Sequence, residues 1–392
     1  MNLLERFQQS LYHNVLFKKD HHLILAVSGG LDSVVLTDLC FKSGYSFSIA
    51  HCNFQLRGVE SEQDETFVKS LGEKYKIEVR VKKFDTEKFA AENKLSIQEA
   101  ARVLRYEWFE ELINQDLLAA QPVMLHPDIF HVLTAHHADD NNETLLMNFF
   151  RGTGLHGLTG IPVAYGHIKR PLLSFTKAEL LTYAEEQNLQ YREDSSNQLS
   201  KYTRNFFRNE IIPAISKVYP QVSENLQDNI NRYKEIEKLY TLSTQVIIKK
   251  LCRQKDAEMH IPIKQLMLYN NRALIYEIIK PYGFAEKQID EVLKLAESES
   301  GKYIDSPALN FRIIKHRHWF IISAVESIEA KNIIIEEGMN SLQFELGGLK
   351  FEKISNFKFQ IHLPLQALMH LLSNSHCFCV NGKQAITSIL WE

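Results

Sequence analysis

The stretch Leu23-Ile24-Leu25-Ala26-Val27-Ser28-Gly29-Gly30-Leu31-Asp32-Ser33 restricts the fold more than any other part of the chain. An apolar run sized for a buried strand stops at Ser-Gly-Gly-Leu-Asp-Ser, and an amphipathic run, Val34 to Phe41, starts at once. Strand, tight glycine loop and helix together aim backbone N–H groups and a helix N-terminus at an anion. Gly29 and Gly30 let the backbone turn sharply and approach a phosphate without a Cβ in the way. Ser28 and Ser33 add hydroxyl donors. Asp32 is the odd member, because a carboxylate repels phosphate; it makes sense as a Mg²⁺ ligand or as a helix cap.

The loop has no lysine, so it is not the G-x-x-x-x-G-K-[ST] phosphate loop, and it is not the dinucleotide fingerprint G-x-G-x-x-G. Ser-Gly-Gly-x-Asp-Ser after a strand resembles the PP-loop of the ATP pyrophosphatase superfamily. That resemblance implies cleavage of ATP between the α- and β-phosphates and adenylation of a substrate. It makes Ser28, Gly29, Gly30, Leu31, Asp32 and Ser33 the expected phosphate cradle.

The first half of the chain alternates strand and helix signals. Strands are expected at 23–27, 46–50, 77–81 and 130–134. Helices are expected at 32–42, 61–75, from the Ser96-Ile97-Gln98-Glu99 capping box to about Ile113, and at 141–150. This rhythm predicts an α/β fold with a mostly parallel, doubly wound sheet. Ligands then bind at the carboxyl ends of the strands, where Ser28, His51 and His136 fall. The segment 115–129, with Pro122 and Pro127, reads as a surface insertion, and the glycine-rich 151–165 as a mobile loop. A helical signal covers 214–299, strand signals return over 303–322, and a β-rich piece spans 332–362. The expected domains are 1–215 (catalytic), 216–328 (mainly helical) and 329–392 (small and β-rich).

Thr134-Ala135-His136-His137-Ala138-Asp139-Asp140-Asn141-Asn142-Glu143-Thr144 follows the fourth strand. Asp139, Asp140 and Glu143 share one helical face near its N-terminus. They serve either as helix caps or, beside a pyrophosphate site, as oxygen ligands for Mg²⁺. The two histidines raise zinc as a metal, but the hard carboxylate neighbours favour Mg²⁺; packing or hydrogen bonding at the strand end is their alternative role.

With the loop, the pattern H-H-x-D-D-x-x-E-T resembles the tRNA(Ile)-lysidine synthetase branch of the PP-loop proteins. Further pieces agree in order: His51 to Gly58, Asp64 with Phe67, and Glu99-Ala100-Ala101-Arg102 with Arg105 and Tyr106. Arg151-Gly152-Thr153-Gly154 with Gly157-Leu158 follows, then Arg170-Pro171-Leu172-Leu173, read as the entry to a strand. Asp194 to Asn197 and Tyr202-Thr203-Arg204-Asn205 with Arg208 complete the series.

The resemblance implies a two-step ligase reaction. ATP adenylates the carbon-2 oxygen of the wobble cytidine in a CAU-anticodon tRNA(Ile), and an amine of free L-lysine then displaces AMP. ATP and Mg²⁺ are the implied cofactors. The implied catalytic residues are Asp32, Asp139, Asp140, Glu143, Arg102 and Arg204, with Asp32, Asp139 and Asp140 on the metal. Arg102 and Arg105 would stabilise phosphate charge, or lie on an exposed salt-bridged face; Arg204 and Arg208 would meet the nucleotide or tRNA backbone, or form surface ion pairs. The rivals are another PP-loop tRNA-modifying or amidating enzyme and a catalytically silent tRNA-binding homologue. PP-loop thiolases call for C-x-x-C pairs, and none of the five cysteines forms one.

The remaining composition is that of a globular protein with 45% hydrophobic and 24% charged residues. The chain lacks an apolar run of membrane-spanning length and a continuous apolar N-terminal core, so the cytoplasm is the expected compartment and a membrane is not an expected partner. The scattered odd set of cysteines reads as free thiols. A homodimer is compatible with the sequence, which does not fix an oligomeric state. Net charge is −3, which argues against a generally basic nucleic-acid coat. The window 199–256, however, holds eleven Lys/Arg against six Asp/Glu, a local excess of +5. The tail 363–392 lacks the lysine cluster that the family's C-terminal domain implies.

Overall fold

The computed structural model describes residues 1–119, 129–192 and 203–325, together with strand segments 341–344, 347–354, 358–362, 379–380 and 383–384. The chain divides into two compact units, Met1–Leu239 and Tyr240–Glu392.

The first unit opens with helix α1 (Leu3–Asn14), then β1 (His22–Ala26), α2 (Leu31–Lys42), β2 (Phe47–Asn53), α3 (Val59–Tyr75) and β3 (Val79–Lys83). Two helices follow, α4 (Thr86–Asn93) and α5 (Ile97–Ala119), then β4 (Phe130–Leu133), α6 (Ala138–Arg151) and α7 (Gly154–Leu158). A short pair, β5 (Ala164–Tyr165) and β6 (Ile168–Lys169), leads to α8 (Lys177–Glu186). The unit's last helical stretch comprises α9 (Thr203–Phe206), a π-turn at Phe207–Ile211 and α10 (Ile212–Ser216). Helix α11 (Val222–Leu251) begins here and runs into the second unit.

The sheet order is β3-β2-β1-β4-β6-β5. Every neighbouring pair is parallel except β5–β6. Alternate side chains of one strand serve opposite faces. Leu23 and Leu25 of β1 join a core with Phe7 and Leu11 of α1, Val35 and Leu39 of α2, Leu71 of α3 and Leu180 of α8. Ile24, between them, points into a second core with Trp108, Phe109 and Leu112 of α5 and Phe130 and Val132 of β4. The sheet is therefore covered on both faces, as doubly wound architecture requires. Helix α2 is apolar around most of its circumference and is buried accordingly.

The second unit contains an antiparallel sheet in the order β7-β8-β11-β10-β9. Its strands are β7 (Arg253–Lys255), β8 (Glu258–Pro262), β9 (Tyr303–Asp305), β10 (Phe311–His316) and β11 (Trp319–Ala324). Helices α12 (Ile263–Leu268), α13 (Arg272–Ile279) and α14 (Ile289–Glu297) pack on it through Leu274, Ile278, Ile289, Val292, Ile313 and Ile322. Further on, β12 (Ser341–Phe344), β13 (Gly347–Ile354) and β14 (Lys358–His362) form an antiparallel three-stranded sheet, and β15 (Cys379–Val380) pairs with β16 (Lys383–Gln384).

Several element limits differ from the sequence reading. The third strand runs two residues later, at Val79–Lys83, because register with β2 sets it rather than the apolar Ile77. Arg170-Pro171-Leu172-Leu173 follows β6 instead of entering a strand; proline cannot continue a ladder. The stretch 214–299 is not purely helical: β7 and β8 lie inside it, with β8 laddered to β11 and the exposed, polar β7 paired to β8. Helix α5 extends to Ala119 into the segment read as an insertion, of which 120–128 lie outside the described residues. Asp194 to Asn197 and Tyr202 also lie outside them. Among the described residues, Cys40, Cys52 and Cys252 are free thiols, and no helix is long and apolar enough to cross a membrane.

Candidate active site

Strands β2 and β3 extend the sheet to one side of β1, and β4 lies on the other. The crevice between the carboxyl ends of β1 and β4 is thus the point where strand order reverses, the usual ligand position in such sheets. The two strongest sequence motifs leave those two strand ends.

After β1 the chain turns through Gly29, whose φ is +93°, a conformation that side-chain-bearing residues rarely adopt. A Cβ there would lie 3.3 Å from the Phe67 ring. Gly30 is the N-cap of α2 and supplies no side-chain cap, so the first-turn N–H groups of α2 are left for an anion. Ser33 Oγ donates to Gly30 O at 2.9 Å and stands 3.3 Å from Ser28 Oγ. The Arg192 N–H donates to Gly29 O at 3.0 Å. Asp64 accepts from Arg57 at 2.8 Å and also from Arg192 Nε, bracing the loop from α3. His51 bonds Val27 O at 2.8 Å through Nδ1, and burial lowers its pKa, so it supports the strand end in its neutral form.

After β4, His136 and His137 precede α6. His137 is 3% exposed and sits among three carboxylates. Its Nδ1 is 3.3 Å from Asp139 Oδ2, and its Nε2 is 3.5 Å from Asp140 Oδ2 and 3.8 Å from Asp32 Oδ2. Burial alone would lower the His137 pKa, but those carboxylates outweigh it and raise it. His136 behaves oppositely: burial drives its pKa down to about 4, and nearby Arg170, Arg204 and Arg105 push the same way against Asp140. Its Nδ1 is 3.0 Å from Thr134 Oγ1.

The acids separate into two sets. Asp139 accepts from the Lys177 N–H at 2.7 Å, and Asp32 accepts from Lys177 Nζ at 2.6 and 2.8 Å. Asp140 and Glu143 face Arg208, whose Nε donates to Glu143 Oε1 at 2.6 Å and whose Nη2 donates to Asp140 Oδ1 at 3.0 Å. Arg204 donates to Thr144 Oγ1 at 2.8 Å and lies 3.7 Å from Glu143 Oε2. Burial raises the Glu143 pKa despite the opposing arginines, whereas for Asp140 the facing histidines and Arg204 outweigh burial and lower it.

Among the described residues, no three His, Cys, Asp or Glu side chains are arranged to hold a metal ion. Asp32 and Asp139 instead present hard oxygens of the kind that hold Mg²⁺ together with substrate phosphates and water. Arg105 stacks over Phe54 at 5.3 Å and is close enough to act on His136. Arg102 lies over Tyr106 at 5.0 Å on the exposed side of α5, with no ion pair among the described residues. Lys177, which the sequence reading did not name, belongs to the site, together with His137, weighed there as a zinc ligand or a packing residue, and buried Arg170, named there only within a motif. Arg170 donates to Pro162 O at 2.7 Å, and its Nε finds no hydrogen-bond partner among the described residues. The signal for Lys177 was the Thr176-x-x-Glu179 capping box, which sets it at the first position of α8.

Comparisons with known proteins agree with this geometry. The family described as PP-loop domain matches residues 2–215, and the one described as TilS substrate binding domain matches residues 254–325. The tRNA(Ile)-lysidine synthase of Parabacteroides distasonis is 33% identical over 86% of this chain and 74% of its own length. That of Bacteroides thetaiotaomicron is 35% identical over 79% of this chain and 69% of its own. The Chlorobaculum tepidum protein of the same name is 32% identical over 79% of this chain and 93% of its own. A nucleotide loop and an acid-rich helix on either side of the sheet's reversal point, in a sequence related over most of its length to these enzymes, place the chain in the tRNA(Ile)-lysidine synthase family.

Proposed function

We propose that the chain joins lysine to the wobble cytidine of a CAU-anticodon tRNA(Ile) at the expense of ATP. The observation that carries this reading is the meeting of Asp32 from the loop with Asp139, Asp140 and His137 from the acid-rich segment across the β1–β4 crevice.

The reaction has a chemical logic that these residues serve. A ring-carbon oxygen is a poor leaving group until it becomes a phosphate ester. The carbon-2 oxygen attacks the α-phosphorus of ATP and pyrophosphate leaves; a lysine amine then attacks carbon-2, and AMP departs with that oxygen. The amine's proton passes to a base or to water. The first-turn N–H groups of α2, with Ser28 and Ser33, hold the phosphates. Asp32 and Asp139 would hold Mg²⁺, which when bound neutralises charge on the phosphates. Asp140 and Glu143, locked by Arg208, are assigned to the other side of the crevice, where they orient the flipped cytosine and the lysine. Arg204 and Arg105 stabilise negative charge near His136; Arg102, exposed over Tyr106, is assigned to phosphate charge with them. Domain limits of 1–215, 216–328 and 329–392 accompany this reading.

The test is incubation with ATP, Mg²⁺, radiolabelled lysine and a CAU-anticodon tRNA(Ile) transcript. Label becomes bound to the tRNA, and Asp32→Ala abolishes labelling while leaving tRNA binding nearly intact. Absence of labelled tRNA beside a competent control enzyme overturns the reading; an active Asp32→Ala variant overturns the role of the loop.

A further inference from the structure

The phosphate loop carries no lysine, and its one charged residue has the wrong sign for a polyphosphate. A cation for it arrives from elsewhere in the chain. Lys177 Nζ lies 2.6 Å from Oδ1 and 2.8 Å from Oδ2 of Asp32, across 145 residues of sequence. The backbone of Lys177 is fixed independently of that ion pair. Its N–H donates to Asp139 Oδ2 at 2.7 Å, and the preceding Thr176 accepts from Glu179 N in a capping box. The Cα is thus pinned beside the acids, while the side chain is 47% exposed and can turn about its own bonds. An ion pair at that exposure adds little net stability, so releasing it costs little. Lysine suits such a task because its ammonium is a compact point charge on a flexible stem.

We propose that Lys177 is the polyphosphate-binding lysine of this site: it neutralises Asp32 before nucleotide binds, then turns its ammonium onto the phosphates beyond the α-phosphate, which leaves Asp32 as the residue that would hold a divalent cation. The proposal rests on the ATP reading given above. It assigns the charge that other phosphate loops carry within their own sequence to the first residue of α8.

The test compares two ligands on the full chain by titration calorimetry with Mg²⁺: α,β-methylene-ATP, which cannot be cleaved at the bond in question, and AMP, which lacks the outer phosphates. Loss of one charge-assisted contact predicts about tenfold or greater weakening of α,β-methylene-ATP binding in Lys177→Met. AMP affinity stays within about twofold of wild type. Lys177→Arg keeps most of the triphosphate affinity. Thermal melting of each variant verifies that α8 still docks. Equal losses for both ligands, or no loss for either, overturn the proposal and leave Lys177 as a tie between α8 and α2. Wild-type protein that binds neither ligand overturns the ATP reading itself.

Discussion

Glu143 is 0% exposed and still faces a full guanidinium, that of Arg208. Removing one partner of a buried pair leaves an uncompensated charge and costs about 3–5 kcal/mol when both are buried. Arg208 is 34% exposed on its side chain and Arg204 remains near, so Arg208→Ala should cost less, about 2–3 kcal/mol in urea unfolding. The double variant Glu143→Gln/Arg208→Met should recover part of that loss, because Glu143 no longer leaves a charge alone, while Asp140 still loses its Arg208 contact. The pH dependence follows from the raised Glu143 pKa. A carboxyl whose folded value exceeds 4.5 is relatively favoured below that pH, and this advantage disappears as pH rises through the folded value. Without Arg208 the folded value climbs further, so the Arg208→Ala deficit should shrink as the pH is lowered from 7 toward 4.5. A deficit independent of pH would mean that Glu143 is not the group left unpaired. The spacing of Asp139, Asp140 and Glu143 put them on one helix end, but not which of them faced a lysine and which an arginine. That division is set by α8 and by the Arg204–Arg208 stretch, tens of residues away in sequence.

The element formed by β1, the loop and α2 was the most legible, because its signal is local. A buried strand, two glycines and a helix occupy consecutive positions, and each restricts the next; the helix, read as amphipathic, is buried around most of its circumference. The two glycines differ in their demands, which the sequence could not show. Gly29 has a φ of +93° and would set a Cβ 3.3 Å from Phe67. Gly30 is extended, with a φ of −76°, and its nearest contact would be ordinary, 3.5 Å from Ser28 Oγ. Gly29→Ala should therefore lower stability by about 1–2 kcal/mol and weaken nucleotide binding with it. Gly30→Ala should melt within a few degrees of wild type. Equal melting temperatures for the two variants would show that the loop does not hold the Gly29 conformation. Elements whose support is distant were less legible. Strands β7 and β8 are short, and their pairing is distant: β8 lies between β7 and β11, more than fifty residues further on. Helix α8 carries a clear capping box, yet its position beside Asp32 is a tertiary fact that no local pattern contains.

For the molecule as a whole, the charge distribution decides how an RNA is drawn in. A net charge of −3 gives no general attraction for a polyanion, so the tRNA must be held by a local excess of positive charge. The window 199–256 has such an excess in sequence, which makes it the region to test. Within it the cations are not equivalent. Arg204 and Arg208 are engaged by the acids of the site, and Lys238 pairs with Glu235 at 2.7 Å. Lys249 and Lys250, in the last turn of α11, are exposed and have no ion pair among the described residues. Unengaged cations exchange condensed counterions for phosphate most readily, so these two should carry more of the salt dependence than the total count suggests. tRNA affinity of the intact chain should fall steeply with salt. Replacing both lysines by Gln should flatten the slope of log K against log salt by about one to two. Binding of α,β-methylene-ATP should be unaffected in that variant, because the groups assigned to the nucleotide all belong to the first unit. An unchanged slope would move the RNA-binding charge out of the last turn of α11 and onto the remaining cations of the window.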